Sequence, residues 1–125
     1  MKNQIKLFVI ASICFVFSAI TLKAQTAVYV CSTNGACGYC YGNSSVANCA
    51  YNKCIQEGGK TPLLVLSVAR KGYGAIAVGR SATGAQIVGA AAGYQSQEEA
   101  NRRALQECAN RGGNNARISD TFLDR

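Results

Sequence analysis

Between Gly72 and Ile118 the chain reads strand, turn, strand, helix, glycine stop and a last strand, and it has already said much the same once before. This duplication constrains the fold more than any single motif does. In the first half Ala27-Val28-Tyr29-Val30 is an apolar strand start. Asn34-Gly35, within Ser32 to Ala36, is a hairpin signal because both residue types tolerate positive φ. Cys37 to Tyr41 is the returning strand, and Gly42-Asn43-Ser44-Ser45 breaks it and offers a helix N-cap. Val46 to Glu57 is a short helix stopped by Gly58-Gly59, and Leu63 to Leu66 is a run of strand length after Pro62. In the second half Ala75 to Val78 answers the first strand and Ser81 to Ala85 the turn. Ser96-Gln97-Glu98-Glu99 is a capping box, Ala100 to Asn110 the helix, Gly112-Gly113 its stop and Arg117 to Leu123 the closing strand.

The register of the two copies is specific. Ala50, Tyr51, Cys54 and Gly58-Gly59 fall on Ala104, Leu105, Cys108 and Gly112-Gly113. Gly35 and Gly84 are 49 residues apart and Cys54 and Cys108 are 54 apart, so the second copy carries about five extra residues before its helix. A hairpin with a short helix cannot close a core alone, whereas two such units can. The expected fold is α+β: one small domain over residues 25–125, with halves at about 27–67 and 73–123. The halves are expected to share one antiparallel sheet with both helices on one face. Ala100, Ala104 and Cys108 recur every four residues, as do Val46, Ala50 and Cys54, giving each helix a small-residue stripe that lets it sit close to the sheet. Glu99, Arg103, Glu107 and Arg111 alternate in sign at i, i+4, with Glu98 in reach of Arg102, and read as a solvated face.

Residues 1–24 stand apart from this plan. Lys2 and Lys6 precede the apolar run Leu7 to Leu22, and Thr21-Leu22-Lys23-Ala24 ends in a small residue. That is the pattern of a cleavable signal peptide cut after Ala24. At sixteen residues the run is shorter than the roughly 20 that cross a bilayer. Residues 11–13 before Cys14 lack the leucine and small residue of a lipidation site. The expected location is the periplasm or the medium, with no membrane association after cleavage. Losing Lys2, Lys6 and Lys23 leaves ten basic residues against six acidic ones, net +4. These charges are scattered and make no basic stripe for nucleic acid.

Removing Cys14 leaves Cys31, Cys37, Cys40, Cys49, Cys54 and Cys108, an even set in an exported chain and so a disulfide framework of open connectivity. Cys37-Gly38-Tyr39-Cys40 has the CxxC spacing of a thiol oxidoreductase, but it sits on a strand rather than at a helix N-terminus. Cys37, Cys40, Cys49 and Cys54 could also form a zinc site, which an oxidising compartment disfavours; no metal and no cofactor is expected. With no histidine the commonest catalytic triads are excluded. The carboxylates are Glu57, Glu98, Glu99, Glu107, Asp120 and Asp124; Asp124 reads as frayed, and nothing in the sequence brings Glu57 and Asp120 together. Tyr39 and Tyr41 alternate with cysteine on one strand and offer either a contact patch or edge packing.

Gly74-Ala75-Ile76-Ala77-Val78, Ala82-Thr83-Gly84, Gly93-Tyr94, Ser96, Glu99-Ala100, Ala104-Leu105 and Cys108 together form a pattern. Over about residues 72–118 it resembles the domain-of-unknown-function 4189 (DUF4189) family of small exported bacterial proteins. The resemblance implies an exported, disulfide-containing α+β domain with no established catalytic residues. Members of that family carry a further cysteine shortly after the double glycine, where this chain has Asn114 and Asn115. Cys108 is therefore expected to pair with a first-half cysteine. The reading is a non-catalytic exported binding domain with a protein partner, such as an envelope inhibitor or immunity-type protein. Its candidate surfaces are Tyr39/Tyr41 and Arg102/Arg103/Arg111. A thiol oxidoreductase at Cys37/Cys40 and a secreted effector are the alternatives.

Overall fold

The computed structural model describes residues 25–42 and 45–125. The signal peptide expected over residues 1–24 lies outside the described residues, as do positions 43–44 of the stretch Gly42 to Ser45 expected to cap the first helix, whose N-cap is Ser45. The first half runs β1 (Thr26–Cys31), β2 (Cys37–Tyr41), α1 (Val46–Gln56) and β3 (Pro62–Val68). The second runs β4 (Gly72–Arg80), β5 (Gln86–Tyr94), α2 (Gln97–Asn110) and β6 (Asn114–Asp124). The class is α+β, as expected, with two helices and two antiparallel sheets.

The single shared sheet is corrected. The strands form two three-stranded sheets, ordered β2-β1-β3 and β5-β4-β6. The physical reason lies in the central strands. β1 pairs with β2 and β3, and β4 with β5 and β6, so every ladder stays within its own half and the halves meet by their faces. Both central strands are also apolar on both faces, and each face needs cover. Ala27 faces α1 together with Cys40, Val46 and Ala50, and Ala75 and Ala77 face α2 with Ala91, Ala100 and Ala104. The alternate residues point the other way. Val28, Ile76, Val88, Ala90, Ala92 and Phe122 meet in one buried cluster between the sheets. The order of layers is thus helix, sheet, sheet, helix, with the helices on opposite outer faces rather than on one.

The two halves correspond in their details. Gly38 of β2 lies under α1 so closely that a Cβ there would meet the Ala50 carbonyl, the Cys54 amide and, at 2.9 Å, the Cys54 Cα. Gly89 of β5 repeats this against Ala104 and Cys108, with the Cys108 Cα at 2.8 Å. Both helices stop alike. Gly58 and Gly112 take φ of +94° and +95°, and the Gly59 and Gly113 amides each donate at 2.9 Å to the Cys54 and Cys108 carbonyls. This is the glycine C-terminal motif read from the sequence, satisfying carbonyls that the helix leaves open.

At the start of α2 the Ser96 hydroxyl accepts from the Glu99 amide at 3.2 Å. The other half of the capping box takes a different course. The Glu99 carboxylate turns to Arg102 at 2.8 Å and Arg103 at 3.2 Å, so Arg102 pairs with Glu99 and not with Glu98. Strand β6 runs on to Asp124, which pairs with Gly72 and is 4 % exposed; the frayed terminus is corrected. Among the described residues no helix is long and apolar enough to cross a membrane.

Candidate functional site

The sheets approach each other where β5 faces β3 and β1, and at the β2–β6 side three rings close the seam. Tyr39 and Tyr41 stack on Phe122 with centroids at 5.0 and 4.8 Å. The Phe122 ring lies on Gly74, its partner across the β4–β6 ladder, where any Cβ would overlap it. Of the two readings of Tyr39/Tyr41, edge packing therefore describes the strand: the rings are engaged within the molecule, although Tyr41 keeps 40 % exposure. Phe122 was missed because its role depends on a bare glycine far away in the sequence.

Beside the seam opens a cleft of about 720 Å³. Its floor is Cys37 and Tyr39 on β2 with Ile76 and Val78 on β4; its rim carries Lys53 and Glu57 at the end of α1 and Arg117, Ser119 and Asp120 on β6. A β-bulge assembles the β6 side. In a regular strand residues 117 and 120 point to opposite faces. Here Asp120 sits opposite Ile76 and Ile118 opposite Ala77, leaving Ser119 as the extra residue. Arg117, opposite Val78, then shares a face with Asp120, as bulges at sheet edges re-aim side chains. The Ser119 hydroxyl donates to the Ile76 carbonyl at 3.3 Å and holds the bulge. Glu57 and Asp120, which nothing in the sequence joins, thus line one cavity. Across the same opening the Gln86 amide donates to the Gly35 carbonyl at 2.8 Å and ties the two hairpin turns together.

The cleft is mixed in charge, with Lys53 and Arg117 against Glu57 and Asp120. Burial pushes the Cys37 thiol up to about 12, and the negative charge of Cys54, Asp120 and Glu57 adds to this. Burial, then Asp120, likewise raises the Tyr39 phenol above its ordinary value. At neutral pH both groups keep their protons and act as hydrogen-bond donors rather than nucleophiles.

The cysteines separate by face. Cys40 is bonded to Cys49 across a Cα–Cα distance of 5.9 Å, fastening β2 to α1. Cys37 lies on the other face of β2, opposite Val30, so Cys37 and Cys40 do not form a dithiol, and two of the four sulfurs of the zinc reading are spent on each other. Cys31, Cys37, Cys54 and Cys108 carry thiols. The first-half partner expected for Cys108 is corrected: its sulfur is enclosed by Gly79, Gly113 and the Ile87 carbonyl, all of the second half. Among the described residues no group of three or more His, Cys, Asp or Glu could hold a metal ion.

The Arg102/Arg103/Arg111 surface is largely neutralised within its own helix. Arg102 and Arg103 bond Glu99, Arg111 approaches Glu107 at 3.7 Å, and Arg103 stands 5.9 Å above the Tyr94 ring. The cleft, in contrast, presents charges from both halves to one opening. No curated protein and no solved structure matches the chain. Its second half does have a match, covering the Arg117–Asp120 wall and Phe122 but not Cys37, Tyr39 or α1: residues 73–124 match the family described as domain of unknown function (DUF4189).

Proposed function

We propose that this is an exported, non-catalytic binding domain that takes a segment of a protein partner in the cleft between its halves. The observation that carries this reading is the bulged β6 wall, which turns Arg117 and Asp120 to one side opposite Lys53 and Glu57. Two cations and two anions around one opening suit a polar chain segment with charges of both signs, and complementary charge confers specificity and fast encounter. Protonated Tyr39 and Cys37 on the floor add donors. An envelope inhibitor or immunity-type protein would use such a cleft to hold a loop of its target. Export is supported by the leader pattern and by Gln25, the residue after the expected cut. Its amide already donates to the Val68 carbonyl at 2.7 Å and its carbonyl accepts from Gly42 at 2.9 Å.

The test is capture from the envelope and medium of the producing cell. Wild type is compared with Lys53→Glu/Arg117→Glu and with Arg102→Ala/Arg103→Ala. Loss of the same captured protein with the first variant and its retention with the second supports the cleft. Retention with the first variant overturns it. Intact mass of the exported protein checks the leader independently, a chain starting at Gln25 being the expected result.

A further inference from the structure

The duplication assigns a second covalent link. Tyr29 sits opposite Gly38 and Ala77 opposite Gly89, so two residues further along β1 and β4 Cys31 occupies the position of Gly79. On the helix side Cys54 matches Cys108, each sulfur lying against the second glycine of its stop, with an ideal Cβ at Gly59 or Gly113 coming within 2.7 or 2.5 Å of it. In the second half an ideal Cβ on Gly79 would stand 3.1 Å from the Cys108 sulfur. A Cβ across from a bonded sulfur stands at roughly 3 Å, from an S–S bond of about 2.0 Å and the bend at sulfur. The first half has a cysteine where the second has that bare glycine. Cys31 and Cys54 share one buried cluster with Ala36, at 1 % and 0 % exposure.

We propose that Cys31 and Cys54 form a disulfide, made by exchange with a protein or glutathione-type disulfide, and that Cys37 and Cys108 remain thiols. One cysteine thiolate attacks the donor disulfide, forming a mixed disulfide and releasing one donor thiolate. The second cysteine, as its thiolate, attacks the first cysteine's sulfur and releases the other donor thiolate. Two electrons pass from the cysteine pair to the donor, and the two protons that the cysteines shed are taken up by the released thiolates. In the reduced form the Cys31 sulfur is within 3.1 and 3.5 Å of the Thr33 and Thr61 hydroxyls, while Cys54 donates to the Ala36 carbonyl at 3.4 Å. Burial fixes the order of events: the exchange belongs to folding, before α1 closes over β1. The bond then anchors the last turn of α1, which carries Lys53 and Glu57 to the cleft.

The exported protein is reduced, unfolded and refolded over glutathione and its disulfide, alkylated under denaturing conditions, and digested with pepsin at low pH. This does not depend on what the cleft binds. Alkylation at Cys37 and Cys108 alone, with a peptide pair joining Cys31 to Cys54, is the expected result. Alkylation of Cys31 or Cys54 before reduction, or a link from either to Cys37 or Cys108, overturns the assignment. A second variant carries the geometry across the duplication. The sulfur introduced by Gly79→Cys should bond to Cys108 and leave Cys37 as the sole alkylated position. Alkylation of both the introduced thiol and Cys108 in the refolded variant overturns the register on which the pairing rests.

Discussion

Replacing Gly89 by alanine puts a methyl group where α2 already lies. The new Cβ would overlap the Cys108 amide and the Ala104 carbonyl and stand 2.8 Å from the Cys108 Cα, where ordinary contact begins at 3.4 Å. These are backbone atoms, so no side chain can swing aside. The helix must retreat by about 0.6 Å at that Cα, from 2.8 to 3.4 Å, and further at the amide and carbonyl. A gap of about 0.5–1 Å forfeits a quarter to a half of each dispersion contact. The small residues Ala75, Ala77, Ala91, Ala100 and Ala104 hold α2 through such contacts. Overpacking of this kind costs about 1–3 kcal/mol. With the weakened helix contacts the expected loss is about 3 kcal/mol, which lowers Tm by roughly 4–8 °C per kcal/mol in a domain of this size. Gly84→Ala is the comparison. Nothing lies within 4 Å of its Cβ, and its φ of +87° costs an L-residue about 1–2 kcal/mol. Urea unfolding followed by far-UV circular dichroism reads both variants. A Gly89→Ala midpoint equal to or above that of Gly84→Ala would refute the close seating of the helix. Gly38→Ala, against Ala50 and Cys54, should behave like Gly89→Ala.

Phe122→Ala strips the seam of the ring that Tyr39 and Tyr41 stack on and uncovers Gly74; a loss of about 3–5 kcal/mol is expected in the same urea assay, with Phe122→Leu intermediate. Ser96→Ala removes the acceptor of the Glu99 amide and should cost about 1 kcal/mol, read as a lower midpoint with an unchanged denaturant slope. Cys37 makes stability fall in alkali. Its folded value of about 12 lies above the ordinary 9.0, so between those values the unfolded chain has released a proton that the folded chain retains. Stability is whole below pH 9 and declines as pH rises toward 12, by at most about 1.4 kcal/mol per pH unit for this group. Unfolding of Cys37→Ala across that range should show a shallower decline than wild type; equal slopes would remove Cys37 from the buried floor of the cleft.

Much of the local order was legible because it is set by neighbours in the chain. Gly58 and Gly112 stop helices by adopting a φ that other residues resist, and Ser96 caps with its own hydroxyl. The apolar runs at Ala27–Val30 and Ala75–Val78 marked strands, though both helices were expected on one face of a single sheet and cover on both faces was not foreseen. The cleft was less legible. Asp120 was visible as a carboxylate and Arg117 as a cation, but their shared direction depends on the bulge at Ser119, and a period-2 reading sends them apart. Tyr39 and Tyr41 were found as a pair, whereas their partner Phe122 acts through contact with Gly74.

The repeat of strand, turn, strand, helix and glycine stop was written in the chain itself, since each step depends on residues a few positions apart. How two such units join was decided only by packing. Strand pairing is local to each half, and the apolar faces left over are buried against each other in one cluster between the sheets. That face-to-face closure sends the helices to opposite sides, brings the β2 tyrosines onto Phe122 of β6, and creates the cleft from residues that no sequence interval connects.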